Sequence, residues 1–196
     1  MKNIDAVPEK DAIRRRMLDK RWAMADVVRG KASEAIKKRI VGMGPVRDAV
    51  RIFCYVSRSP EVDTWGILAQ LLDQGKEVYC PRMIAGDRLE AVRIDDIEDL
   101  RRSKFGIFEP LDNSDIAEAE ALDLALVPAL AFARDGMRLG YGKGYYDRFF
   151  SDGGEDIVKI GLCYSFQVLD SLPAAPYDIR MNIVVTESEI LTIKER

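Results

Sequence analysis

Between Val127 and Phe149 the chain reads VPALAFARDGMRLGYGKGYYDRF, a run of residue types suited to holding phosphate. Gly136, Gly140, Gly142 and Gly144 let the backbone adopt positive φ and approach a ligand closely. Successive N–H groups exposed in such a turn form an anion-binding concavity, and a helix N-terminus behind it adds positive potential. Arg138 and Lys143 bring full positive charges, and Asp147 brings a carboxylate able to hold Mg²⁺. The stretch departs from the two common phosphate loops. A Walker loop needs Ser or Thr after its lysine, where Gly144 stands, and its first glycine would fall on Met137. A dinucleotide fingerprint would set its third glycine at Tyr145. A turn that only joins a strand to a helix accounts for the glycines. It does not account for Lys143, Tyr145, Tyr146 and Asp147 beside them.

The rest of the composition narrows the chemistry. There is no histidine among the 196 residues, which excludes Ser-His-Asp and Cys-His catalysis and His-ligated zinc. Phosphoryl transfer fits that restriction, because its transition state needs positioning and charge stabilisation more than covalent help. The 3 cysteines, Cys54, Cys80 and Cys163, lie far apart in apolar strand-like settings with no metal-ligand spacing. They read as buried thiols of a reducing cytoplasm. No apolar run approaches the ~20 residues that span a bilayer, and the N-terminus lacks the apolar core of a signal peptide. Residues 1–51 hold 14 Lys and Arg against 7 Asp and Glu, while the remainder holds 16 against 26. The acidic remainder would repel nucleic acid, so an anionic small molecule is the expected partner of the basic segment.

Alternating apolar segments set the frame for these residues. Residues 8–30 read as an amphipathic helix whose Ile13, Met17, Met24 and Val28 face the core. At about 100° per residue, Lys10, Arg14 and Arg21 share one side of it, bordering that stripe. A second helix is expected over 31–41, ending at a Gly-Met-Gly-Pro breaker. Strands are expected at 50–56, 77–81, 121–127, 157–164 and 183–186, with a weaker edge strand at 89–94. Helices are expected at 61–74, 95–102 and 145–150, and a Pro-containing connector at 172–177. Strands alternating with helices predict a single three-layer α/β domain, Rossmann-like, with a mostly parallel sheet covered on both faces. In such sheets ligands bind beyond the carboxyl ends of the strands. The loops after Val56 and Val127 lie there.

The segment Phe132 to Asp147 closely resembles the signature of the 5-formyltetrahydrofolate cyclo-ligase family: Phe, then Gly-x-Arg-Leu-Gly-x-Gly-x-Gly-Tyr-Tyr-Asp. The resemblance extends to Tyr55–Thr64, to Pro81-Arg82 with Phe105–Pro110, and to Tyr177–Thr186. It implies an enzyme that uses ATP and Mg²⁺ to cyclise 5-formyltetrahydrofolate, with or without a polyglutamate tail, to 5,10-methenyltetrahydrofolate. ADP and phosphate leave as products. It implies ATP contacts from Lys10 and Arg14, from Arg138, Leu139 and Gly140, from Tyr141, Gly142, Lys143 and Gly144, and from Tyr145 and Tyr146. Lys143 and Arg138 take the catalytic role in this reading.

The same resemblance gives Glu61 the folate substrate, with Val56 lining its pocket, Phe105 stacking on the folate ring and Arg82 meeting a phosphate or glutamate tail. For Glu61 alone, an acidic residue in the first turn of a helix is the simpler account. For Mg²⁺ the resemblance implies Asp147 and the position of Asn182. The family commonly has Asp at the latter, and a neutral amide is the weaker ligand. That departure leaves open a non-catalytic nucleotide- or folate-binding relative, and the scaffold leaves open a phosphosugar isomerase or coenzyme-A transferase. The protein is expected to be a cytoplasmic monomer with no membrane or nucleic-acid partner.

Overall fold

The computed structural model describes residues 6–103, 106–110, 115–154, 156–173 and 178–194. Phe105 and most of the Pro-containing connector lie outside the described residues. Three helices open the chain: α1 (Ala6–Ala23), α2 (Asp26–Val41) and α3 (Gly44–Asp48). The expected helix over 8–30 is therefore two, and the break falls at Met24-Ala25 instead of Gly30. Ala25 is extended, and its carbonyl accepts from Val28 and Arg29 to start the next helix, with Asp26 in the first turn. Gly30 sits on an open face of α2, where its helix penalty is only about 1 kcal/mol. The break also turns Val28 out to solvent, at 53% exposure, while Met17 is fully buried.

Strand β1 (Arg51–Cys54) leads through α4 (Trp65–Asp73) to β2 (Glu77–Ile84), which turns back as β3 (Arg88–Ile94). Helix α4 starts four residues later than the sequence suggests. Thr64 Oγ1 donates to the Tyr55 carbonyl (2.8 Å) and accepts from Ser57 N (2.9 Å), so residues 57–64 form a fastened loop. Glu61 is thus not a first-turn helix residue. The helix expected at 95–102 is a 3₁₀ turn at Ile97–Asp99, closed by Asp96 and Asp99 side chains on nearby N–H groups. It runs into β4 (Leu100–Arg102), paired with β5 (Phe108–Pro110). Next come β6 (Ile116–Ala117), β7 (Leu124–Pro128), β8 (Ala131–Ala133) and β9 (Arg138–Leu139). They are followed by α5 (Tyr145–Ser151), β10 (Val158–Leu162), β11 (Val168–Leu169), β12 (Ile183–Val185) and β13 (Ile190–Thr192).

The main sheet has the order β13-β12-β10-β7-β1-β2-β3-β6. Its five central strands, β12 to β2, are parallel, and antiparallel pairs finish both sides. Because β6 pairs with β3, β3 is not the edge strand the sequence suggested. Alternation along the central strands feeds two cores. Ile52, Leu124 and Leu126 meet Ile36, Ile40, Ile67 and Leu71 of α2 and α4 on one face. Phe53, Ala125 and Val127 meet Phe149 and Phe150 of α5 on the other. A mixed α/β architecture with a mostly parallel, doubly covered sheet results, as expected.

The crossover from β1 through α4 goes to one side, and the connection from β7 through α5 goes to the other. Strands β1 and β7 are therefore neighbours at a topological switch point, where such sheets open a crevice. A small sheet in the order β11-β8-β9 flanks that crevice, and Met17 of α1 packs against its Ala131 and Leu139. This seating carries the basic side of α1 to the Gly-rich loop.

Two consequences are measurable. A Cβ at Gly161 of β10 would stand 2.4 Å from the ring of buried Phe132. Gly161→Ala should cost about 1–3 kcal/mol and lower Tm by several degrees; a melt superimposable on wild type would refute the close approach. Burial raises the thiol pKa of Cys54, Cys80 and Cys163, so the reactive thiolate is suppressed. Native protein at neutral pH should leave Ellman's reagent uncoloured until denaturant is added. Rapid labelling of the folded protein would contradict this burial.

Candidate active site

The loop 140–144 joins β9 to α5 at the switch point. Gly136 shapes the turn before it: φ is +86°, and a Cβ there would come within 2.6 Å of the Met181 carbonyl. Gly142, at φ +98°, lets the loop run beside the Arg14 guanidinium, 3.4 Å from where a Cβ would sit. Any larger residue would be strained at both positions. The loop walls a charged cleft of about 300 Å³ together with Lys10, Arg14, Pro128, Arg138, Asp147 and Asp178. Lys10 and Asp178, 168 positions apart, and Arg14, 126 positions before Gly140, thus meet around one loop, and every residue expected at the ATP phosphates lines this cleft.

Within it the charges are arranged in pairs. Lys10 Nζ bonds Asp178 (2.7 Å), and Arg138 Nη2 bonds Asp147 Oδ1 (2.8 Å). Arg14 Nε donates to the Gly140 carbonyl (3.0 Å) and holds the loop to α1. Lys143 differs from these: its ammonium has no partner among the described residues, and it borders both this cleft and the next. Arg138 lies 5.3 Å from the Tyr146 ring, and burial pushes the Tyr146 hydroxyl pKa well up, so it stays a neutral group. Tyr146 packs between both cores, and Tyr145 Oη donates to Asp87 (3.1 Å).

A larger, mainly apolar cleft of about 890 Å³ adjoins the first. Tyr55, Val56 and Glu61 form one wall, and Met83, Ile84 and Leu89 of the β2–β3 hairpin another. Glu61 accepts from Arg58 N (3.1 Å) and from Tyr141 Oη (3.0 Å), and its carbonyl accepts from Tyr164 Oη (2.9 Å). The two clefts share Pro128, Tyr141, Lys143, Tyr145 and Tyr146, so they form one continuous crevice.

Two expected residues stand elsewhere. Strand alternation turns Pro81 and Met83 towards the apolar cleft and Arg82 away, where it bonds its cross-strand partner Glu90 (2.8 Å). The Asn182 amide oxygen accepts from Lys159 N (2.8 Å), fastening β12 to β10, and does not line the charged cleft. Among the described residues no group of three or more His, Cys, Asp or Glu is set to hold a metal. The carboxylates that do face the charged cleft are Asp147 and Asp178.

The sequence singled out neither Asp178 nor Glu109. Asp178 is four residues before Asn182 in the same family-like segment, and only the contact with Lys10 shows its place. Glu109 borders the apolar cleft with Oε1 buried and unpartnered among the described residues. Burial raises its pKa, against the Met83 N–H and Arg82. The hairpin residues Met83, Ile84 and Leu89 gave no signal beyond ordinary strand composition.

A crevice at the switch point of a doubly wound sheet, with a Gly-rich cationic loop on one side and an apolar chamber on the other, stands where α/β enzymes of this architecture bind their ligands. The comparisons with known proteins specify it. The 5-formyltetrahydrofolate cyclo-ligase family matches residues 6–187. A Caenorhabditis elegans protein named "Probable 5-formyltetrahydrofolate cyclo-ligase" is 33% identical over 171 residues, covering 81% of this chain and 83% of that one. An Arabidopsis thaliana protein named as the mitochondrial 5-formyltetrahydrofolate cyclo-ligase is 31% identical, covering 89% and 72%. The solved structure of Aquifex aeolicus 5,10-methenyltetrahydrofolate synthetase superimposes with a TM-score of 0.85 at 29% identity, covering 95% and 94%. The chain belongs to the 5-formyltetrahydrofolate cyclo-ligase family.

Proposed function

We propose that the protein converts 5-formyltetrahydrofolate and ATP into 5,10-methenyltetrahydrofolate, ADP and phosphate, with the nucleotide phosphates in the charged cleft and the folate in the apolar one. The observation that carries this reading is the shared wall. Lys143 and Tyr141 border both clefts, so a γ-phosphate in one lies against a ring system in the other. Family membership supports the same assignment.

In this reading the Glu61 carboxylate accepts from the paired N–H donors of the pterin, and Val56 packs on the ring. The N5-formyl oxygen attacks the γ-phosphorus and ADP leaves, giving a formyl carbon bonded to phosphate through the former formyl oxygen. N10 then attacks that carbon and loses its proton, and phosphate departs with that oxygen as the ring closes. Lys143, Arg14 and Lys10 neutralise the phosphates and the charge that moves onto the leaving ADP. The backbone of residues 140–144 holds the phosphate oxygens through its N–H groups.

Mg²⁺ is bound in many ATP sites by one or two carboxylates with the phosphates and water completing its shell. Asp147, facing the cleft beside Arg138, fits that mode and would hold the ion, which adds charge neutralisation on the phosphates when bound. Asn182, bonded to the β10 backbone, takes no part in this reading. No helix among the described residues is long and apolar enough to cross a membrane.

The phosphorylated intermediate makes an isotopic prediction. Folate carrying ¹⁸O in its formyl group should yield phosphate containing that ¹⁸O. Product formed with the released label in water and none in phosphate would exclude phosphate transfer to the formyl oxygen.

A further inference from the structure

Tyr141 reaches across the boundary between the clefts through a directed chain of hydrogen bonds. Arg21 Nη1 donates to Tyr141 Oη (3.1 Å), and Tyr141 Oη donates to Glu61 Oε1 (3.0 Å). A guanidinium only donates, so the tyrosine oxygen accepts from Arg21, and its single proton is left for Glu61. The hydroxyl therefore has one orientation.

Arg21 is an unusual residue to find there. It is 1% exposed, it has no ion-pair partner among the described residues, and its Nε is buried without a hydrogen bond. Its Nη2 donates to the Ala129 carbonyl, just past the end of β7. Burying a guanidinium without a carboxylate is costly, so packing alone gives no reason for it. Setting the Tyr141 hydroxyl does. The rest of Glu61 is held from its own side, by Arg58 N and by Tyr164 on its carbonyl; Tyr141 is the contact that comes from the Gly-rich loop. Tyr141 also sits between Gly140, whose carbonyl accepts from Arg14, and Gly142 at φ +98°.

We propose that Tyr141, oriented by Arg21, is a positioning residue that couples nucleotide on the Gly-rich loop to the grip of Glu61 on folate. This inference rests on the functional reading above. Phosphates bound on residues 140–144 restrict the glycines on either side of Tyr141. A restricted loop loses less freedom when its hydroxyl holds Glu61 in place for the pterin. By linkage, folate then tightens nucleotide binding by the same factor.

Calorimetric titration of the full-length protein with 5-formyltetrahydrofolate, with and without saturating β,γ-imido-ATP, tests this. In wild type the nucleotide should tighten folate binding by about tenfold. Tyr141→Phe, at a ring 41% exposed, should fold normally and lose most of that enhancement, measured at nucleotide concentrations that saturate the variant. Arg21→Met should lose the same enhancement, and the double variant should lose no more than Tyr141→Phe alone. Should Arg21→Met not fold, the Tyr141→Phe comparison decides by itself. An unchanged enhancement in Tyr141→Phe, or none in wild type, overturns the coupling while leaving the enzyme assignment intact. A wild type that binds no folate and forms no product overturns that assignment, and the coupling with it.

Discussion

Lys143→Ala should lower kcat/KM for ATP-dependent methenyltetrahydrofolate formation by about 10³-fold, with no change in Tm beyond about 1 °C. The first figure follows from the size of single charge-stabilising groups in phosphoryl transfer, typically 10²–10⁵ in rate. The second follows from Lys143 being exposed and without a partner among the described residues, so its removal breaks no native contact. The effect should divide between the kinetic constants in a telling way. A lysine needed only to hold ground-state phosphate would raise KM for ATP and leave kcat alone. A lysine facing the transferring group should lower kcat as well, since the charge it meets develops during transfer. Lys143→Arg should recover only part of the rate, because a planar fork does not replace a point charge. Steady-state kinetics on the three proteins would settle the matter, and a Lys143→Ala enzyme within tenfold of wild type would remove the residue from the mechanism.

The second large effect is on both stability and activity. Arg138 has a side chain only 4% exposed, bonded to Asp147 and set against the Tyr146 ring. Deleting one partner of a buried pair costs about 3–5 kcal/mol. Asp147 is 26% exposed, so water relieves part of that cost, and about 2–3 kcal/mol is the expected loss for Arg138→Met. At roughly 2–4 °C per kcal/mol for a chain of this size, Tm should fall by about 4–12 °C. Activity should fall further than stability explains, since Asp147 loses the contact that aims it into the charged cleft. Adding Asp147→Asn should restore part of the Tm and none of the activity. A single Arg138→Met variant that melts with wild type would show that the pair contributes nothing.

The arrangement of these residues was readable from sequence to differing depths. The charged cleft was legible because its residues are contiguous: Arg138 to Asp147 carry their glycines, cations and carboxylate in one run. Lys10 and Arg14 were legible as a basic side of a helix, but the break at Met24-Ala25 was not, since Gly30 is a stronger breaker on propensity than Ala25. What decides the break is a pair of N–H bonds to the Ala25 carbonyl and the later packing of α2. The apolar chamber was largely invisible. Met83, Ile84 and Leu89 look like any strand residues until the β2–β3 hairpin brings them over Val56. Arg82 shows the converse: a charged residue after a strand looks functional, yet period-two alternation turns it to Glu90. Asp178 owes its place to a contact 168 positions away, and Arg21, legible on the same side of the helix as Lys10 and Arg14, finds its partner Tyr141 120 positions away, beyond the reach of any local pattern.

Absorbance of methenyltetrahydrofolate on mixing the purified protein with 5-formyltetrahydrofolate and Mg²⁺, first without ATP and then with it, tests the central claim most directly. Product that appears only after ATP is added, in step with ADP release, is the predicted result. Folate and ATP both bound with no product, or product formed equally without ATP, would contradict it.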